Sequence, residues 1–176
     1  MTGLDFNKIY NRYEKPIYNY VWRLVGEQPI AEDLTQEIFI KVYRNLTGFQ
    51  GKSKLSTWIY KIATNACIDY FRTSAYKRQM NTVDIEDQNI NNSTHDETES
   101  NLSIEDLIIK DDMKKCIHQC VDDLPSDYRS VIVLHDLQGF KNREIAEILD
   151  ASIDNVKIRL HRARKKLRSV FSSNCD

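Results

Sequence analysis

Glycine and proline are scarce in this chain, five and three in 176 residues. Sheet proteins turn often and draw on Gly, Pro and Asn to do so, so the scarcity predicts an all-α fold. No apolar run approaches the ~20 residues that a membrane-spanning helix needs. The opening MTGLDFNKIY carries no charged-then-apolar leader pattern. The expected location is therefore cytoplasmic, without direct membrane insertion. In that compartment the four cysteines are expected as thiols, metal ligands or redox sensors and not as structural disulfides. The four histidines are scattered, with no nucleophile and base side by side. An enzyme is thus not expected, and no catalytic residue or cofactor is assigned.

The formal net charge of −1 argues at first against a nucleic-acid partner, but its distribution reverses that. Residues 1–78 hold 12 basic and 7 acidic groups, residues 79–106 hold none and 8, and residues 107–176 hold 13 and 11. Two basic lobes joined by an acidic strap are a different electrostatic object from a neutral protein.

Apolar residues recur at helical spacing from Phe6 to Leu24, with Pro16 inside the run, where an interior proline costs about 3 kcal/mol. A break or kink is expected there. Gly26 to Pro29 reads as a turn, and Ile30–Leu46 as a second helix. A loop, Thr47–Lys54, leads to a third helix capped by Ser56 or Thr57 and running to Arg72. From about 79 to 103 the periodicity vanishes into polar, acidic, Asn-rich sequence, the pattern of a flexible linker. Order resumes with an amphipathic helix over Ile104–Leu124 and another over Tyr128–Leu137. The expected architecture is two small helical domains, 5–78 and 104–173, joined by the flexible acidic linker 79–103.

Near the C-terminus, Asn142–Leu149 and the segment opened by Ser152 are two short helical patterns separated by a tight turn, Asp150–Ser152. That is helix-turn-helix spacing. The second helix buries Ile153, Val156, Leu160, Ala163, Leu167 and Val170, and turns Asp154, Asn155, Ile158, His161, Arg162 and Lys165 outward. Residues 153–168 carry seven basic groups against one acid. Arginine grips guanine edges or phosphate, and an exposed Ile158 suits a thymine methyl. A solvated amphipathic helix is the bland alternative.

In the first lobe, helix Ile30–Leu46 buries Ala31, Leu34, Thr35, Ile38, Phe39 and Val42, leaving Asp33, Gln36, Glu37, Ile40 and Arg44 outside. An apolar anchor ringed by charge is the make-up of a protein contact patch. The next helix buries Leu55, Trp58, Ile59, Ile62, Ala63 and Ala66. Its outward or flanking residues, Tyr60, Lys61, Thr64, Asn65, Ile68 and Arg72, suit unpaired bases and their phosphates.

Three blocks, AEDLTQEIFIKVYRNL (31–46), STWIYKIATNACIDYFR (56–72) and LPSDYRSVIVLHDLQGFKNREIAEILDASIDNVKIRLHRARKKL (124–167), in this order and split by an acidic linker, resemble the extracytoplasmic-function class of bacterial RNA polymerase sigma factors. The resemblance implies sigma domain 2 over 5–78 and sigma domain 4, the helix-turn-helix domain, over 104–173. It implies binding of core RNA polymerase through Asp33, Leu34, Gln36, Glu37 and Ile40. Recognition and opening of the −10 element would fall to Lys54, Lys61, Asn65 and Arg72, with Asp69 orienting its neighbours. Recognition of the duplex −35 element would fall to Asn155, Lys157, Ile158, Arg159, Arg162 and Lys165, with Arg164 at a further basic position. Where the family often shows Thr-Val-Lys-Ser, this chain has Asn155-Val156-Lys157-Ile158, which points to altered base preference. The acidic linker could act as a nucleic-acid mimic in the RNA exit path or as a solvated tether. An anti-sigma factor is a further implied partner.

Cys116, His118 and Cys120 form a tempting metal trio, but the apolar stripe Met113, Ile117, Val121 and Leu124 makes Cys120, and marginally Cys116, buried thiols instead, with Cys67 in the first core. No metal site is assigned. Two other function classes compete: a stand-alone duplex-DNA regulator, and an interaction protein that binds polymerase or sigma without DNA.

Overall fold

The computed structural model describes residues 5–81 and 111–174; most of the acidic linker and the start of the helix expected at Ile104 lie outside them. Among the described residues the elements are helices: α1 (Phe6–Val25), α2 (Gln28–Asn45), α3 (Leu55–Asn81), α4 (Asp111–Asp122), α5 (Ser126–Ile132), α6 (Asn142–Ile148) and α7 (Ile153–Asn174). The all-α expectation holds.

Helix α1 starts where the Asp5 carboxylate accepts the Asn7 N–H at 2.9 Å. It ends at Gly26, whose φ of +77° a side chain would disfavour. The expected break at Pro16 does not occur, because α1 runs unbroken through it. Ile9, Ile17, Tyr20, Val21 and Leu24 are buried on one face, and at about 1.5–3 kcal/mol each their packing outweighs the proline. Pro29 falls in the first turn of α2, where a missing N–H costs nothing, so the turn is shorter than expected. Helix α3 begins one turn early, with Trp58 N–H on the Lys54 carbonyl at 3.1 Å. Ser56 and Thr57 therefore lie inside the helix instead of capping it, and the buried Thr57 hydroxyl has no hydrogen-bond partner.

The two lobes, α1–α3 and α4–α7, are not merely tethered. Their buried side chains form one continuous cluster, with α3 packed on α6 and α1 on α5. This contact explains two corrections on α3. Tyr60 and Thr64, expected outward, are buried because the second lobe and α1 cover them. The Tyr60 hydroxyl donates to Gln138 Oε1 at 2.6 Å, and Tyr20 and Thr64 share a hydrogen bond of 2.8 Å.

Between α5 and α6 the chain makes a wide π-helical turn over Val133–Leu137, with Gln138 N–H reaching back to the Val133 carbonyl at 2.9 Å. Helix α6 opens with the Glu144 carboxylate accepting the Lys141 N–H at 2.9 Å. Its end places Asp150 at φ +49°, and the Ala151 N–H returns to the Ala146 carbonyl at 3.0 Å, a Schellman closure. Ser152 then caps α7 as expected, its hydroxyl accepting the Asn155 N–H at 3.1 Å.

Cys67 and Cys120 are buried thiols outside any disulfide, and burial pushes the Cys67 thiol up to about 12, which keeps it unreactive. Cys116 departs from the thiol expectation: it is half-buried and disulfide-bonded. The remaining cysteine, Cys175, lies outside the described residues.

Candidate nucleic-acid interface

Helix α7 buries Val156, Leu160, Ala163 and Leu167. The opposite face presents Asn155, Ile158, Arg162 and Lys165, three or four residues apart and hence in one line. Ile158 is 52% exposed, an unusual position for an isoleucine amid cations. Lys157 is exposed and lies 3.7 Å from Asp154. Arg159 is only partly exposed and turns toward a cleft shared with Thr64, Cys67, Ile68 and Phe71 of α3. Ile153, expected in the buried stripe, is 42% exposed; it occupies the first turn, beyond the reach of the core.

Arg164 departs from its expected DNA role. Its guanidinium grips Asp136 at two oxygens, 2.7 and 3.3 Å away, and lies 3.2 Å from His135 Nδ1. Asp136 sits in the π-helical turn with a side chain only 12% exposed. Arg164 therefore ties α7 to the turn before α6 and fixes the angle of the helix. Nothing local to Arg164 signals this, since the partner is 28 residues away.

On the first lobe, Asn65 and Arg72 are exposed along α3, and Asp69 lies 3.8 Å from Arg72 as a weak orienting partner. Trp58 is half-buried against Phe49, ring centroids 5.1 Å apart. The two lysines of this face are engaged across the seam between the lobes. Lys54 pairs with Glu144 at 2.7 Å and Lys61 with Asp150 at 2.5 Å. The Lys54 hydrogen bond, followed by the Lys141 N–H, holds the Glu144 carboxyl below the usual range.

Sequence reasoning missed Arg129. Its guanidinium donates to the Leu24 carbonyl at 2.7 Å, to the Leu124 carbonyl at 2.9 Å and to the Asp122 carbonyl. These carbonyls lie at the C-terminal ends of α1 and α4, where helices leave acceptors unpaired and favour cations. One side chain thus bolts both lobes. Arg23 adds a looser contact to Asp122 at 3.8 Å.

The outer face of α2 presents Asp33, Gln36, Glu37 and Ile40, with Glu37 paired to Lys41 at 2.7 Å. Leu34 does not belong to this face: it is 8% exposed and part of the core, since its place in the helical period points inward. Beside Gln36 and Ile40 runs an open groove of about 610 Å³ between α1 and α2, rimmed by Tyr10, Tyr43, Glu14 and Glu32.

Comparison with known proteins agrees with this geometry. Residues 9–76, spanning α1 to α3, match the family described as Sigma-70 region 2, and residues 114–167 match Sigma-70, region 4. The chain is 34% identical over 163 residues to the ECF RNA polymerase sigma factor SigW of Bacillus subtilis, covering 93% of this chain and 87% of that one. It is 33% identical to the ECF RNA polymerase sigma-E factor of Escherichia coli, covering 92% and 84%. The chain belongs to the ECF class of RNA polymerase sigma factors. Solved folds agree. The sigma factor RpoE of Bartonella quintana, in complex with the anti-sigma factor NepR, superposes with a TM-score of 0.71 at 22% identity over 96% of this chain and 97% of that one. CnrH, in complex with the cytosolic domain of CnrY, gives 0.66 at 18% identity, over 96% and 88%. As a sigma factor, the protein works with RNA polymerase and promoter DNA to direct transcription initiation. No described helix is long and apolar enough to cross a membrane.

Proposed function

We propose that this sigma factor reads promoters at two points from the cytoplasm and performs no catalysis of its own. The exposed line Asn155, Ile158, Arg162 and Lys165 on the second helix of a helix-turn-helix carries the reading. An arginine and a lysine there neutralise phosphate or grip base edges, and the amide and alkyl groups between them discriminate bases. Lys157 and Arg159 flank that line. In the first lobe Lys54, Lys61, Asn65 and Arg72 hold the −10 element once its bases unstack. Only stronger binding to the opened strand can drive that opening.

Core polymerase docks on the exposed α2 residues Asp33, Gln36, Glu37 and Ile40. The groove beside Ile40 widens that surface toward α1. An anti-sigma factor, as named in the complex of the sigma factor RpoE, is the regulator this reading adds, competing for the same faces. Sigma domain 2 over 5–78, the linker over 79–103 and sigma domain 4 over 104–173 are the divisions that this scheme uses.

The scheme is tested by co-elution with purified core polymerase and by selection of bound promoters from a library randomised at −35. Asn155→Thr with Ile158→Ser is expected to change the selected −35 bases while core binding stays intact. An unchanged consensus would remove those two residues from base reading. DNA binding without core binding would favour a stand-alone regulator.

A further inference from the structure

We infer that the open pocket between α1, the start of α3 and the chain leading into α6 binds a free nucleoside phosphate, with Arg12 and Lys54 on the phosphate and the rings of Tyr13 and Phe140 on the base. Apart from Lys54, none of these residues has a part in promoter reading.

The pocket holds about 370 Å³, within the range of small-molecule sites. Arg12 is exposed, lies over the Tyr13 ring at 5.5 Å and pairs with no carboxylate among the described residues. A guanidinium stacked on a ring keeps its edge donors for an anion. Lys54 uses one N–H on Glu144 at 2.7 Å; an ammonium has three, so others remain for phosphate. Gln138 accepts the Tyr60 hydroxyl through Oε1 at 2.6 Å, leaving its amide N–H groups as further donors. The ring wall is rigid. Phe140 is 9% exposed and packs edge to face on Tyr60, centroids 4.8 Å apart, while Tyr60 rests on Tyr20 at 5.1 Å. Tyr13, half-buried, lines the same pocket from α1. Aromatic walls of this kind stack any base, since each base has a π face. Glu144 is the one carboxylate on the pocket wall among the described residues. Its charge is offset by Lys54 and its Oε2 is held by the Lys141 N–H at 2.9 Å, which makes it an acceptor suited to sugar hydroxyls, the use an acid has in dinucleotide folds. The larger groove between α1 and α2 has the opposite make-up, with Glu14 and Glu32 on its rim and no cation on its wall among the described residues. A bare phosphate or an apolar molecule would use only part of the smaller pocket; a nucleotide uses its cations, its rings and its acid together.

The test is isothermal titration of the full chain, without divalent cations, with the 5′-diphosphates of adenosine, guanosine, cytidine and uridine. At least one is expected to bind one-to-one in the micromolar range. Inorganic pyrophosphate and the matching nucleoside should each bind at least about tenfold more weakly, since each fills only part of the site. Arg12→Glu should weaken the diphosphate by at least about tenfold. Lys15→Glu makes the same charge reversal at an exposed position of α1 outside the pocket, and should weaken it by less than about twofold. Tyr13→Leu keeps apolar bulk but loses the ring, and should weaken the diphosphate while leaving pyrophosphate binding unchanged. Circular dichroism melts of each variant separate a lost fold from a lost site. Diphosphates that bind no tighter than pyrophosphate, or that lose as much affinity with Lys15→Glu as with Arg12→Glu, overturn the site. So does a single-stranded DNA hexanucleotide that binds in an Arg12-dependent way where no diphosphate does, which would make the pocket part of the promoter path. Promoter reading by the helix-turn-helix stands in every one of these outcomes.

Discussion

Arg162 and Arg164 lie two residues apart on α7, and their loss should have opposite consequences. Arg164 holds Asp136 at 2.7 and 3.3 Å, and the aspartate side chain is 12% exposed against 37% for the arginine. Stranding one member of a fully buried pair costs about 3–5 kcal/mol. Water reaches this arginine, so roughly half, about 2 kcal/mol, is expected for Arg164→Ala. For a chain of this size 1 kcal/mol moves Tm by about 2–4 °C, which gives a fall of about 4–8 °C. Arg162 is exposed, so Arg162→Ala should stay within about 0.5 kcal/mol of the parent in stability. It should instead weaken −35 binding by about 1–3 kcal/mol, roughly 5- to 150-fold. Thermal unfolding by circular dichroism and anisotropy with a −35 duplex read the two effects separately. Asp136→Asn should destabilise like Arg164→Ala and add little on top of it, because one interaction is lost only once. The sorting is refuted if Arg164→Ala melts with the parent and loses DNA binding as Arg162→Ala does.

Four further substitutions test other parts of the account. Leu34→Ala should destabilise by about 2–5 kcal/mol as a core truncation, whereas Ile40→Ala should melt near the parent and lose core-polymerase binding in a co-elution assay. Arg129→Met removes the donors shared by the ends of α1 and α4 and should cost about 2 kcal/mol, read as a lower urea midpoint; a midpoint equal to the parent's contradicts the bolt. His118 is held below its ordinary 6.5 by burial, then by Arg23, and its buried Nδ1 has no partner. Its folded value is depressed, so the neutral ring contributes stability above pH 6.5 that is lost as pH falls through the lowered value. His118→Gln should flatten the fall in Tm between about pH 7 and about pH 5.

The residues of one helix were legible where the period alone decides burial. All six inward residues of α2 are the ones its spacing predicts. Misreadings arose where a partner distant in sequence decides. Tyr60 and Thr64 look outward on the wheel of α3, but the hydrogen bond of Tyr60 to Gln138 spans 78 residues and that of Thr64 to Tyr20 spans 44. Arg164 resembles its basic neighbours until Asp136 arrives from a π-helical turn that no local pattern announces. Leu34 shows the opposite limit. A family motif runs along the chain without regard to faces, and packing separates its buried member from its exposed ones. The seam between the lobes was invisible for the same reason, since Arg129 reaches the Leu24 carbonyl across 105 residues.

The central claim is a two-point promoter reader. Its most direct test is transcription by core polymerase and the purified factor on fragmented DNA of the source genome, with the 5′ ends of the transcripts sequenced. The account predicts starts that depend on the factor and share two upstream motifs at fixed spacing, the distal one altered by Asn155→Thr with Ile158→Ser. Starts that are independent of the factor, or that share a single motif, would contradict it.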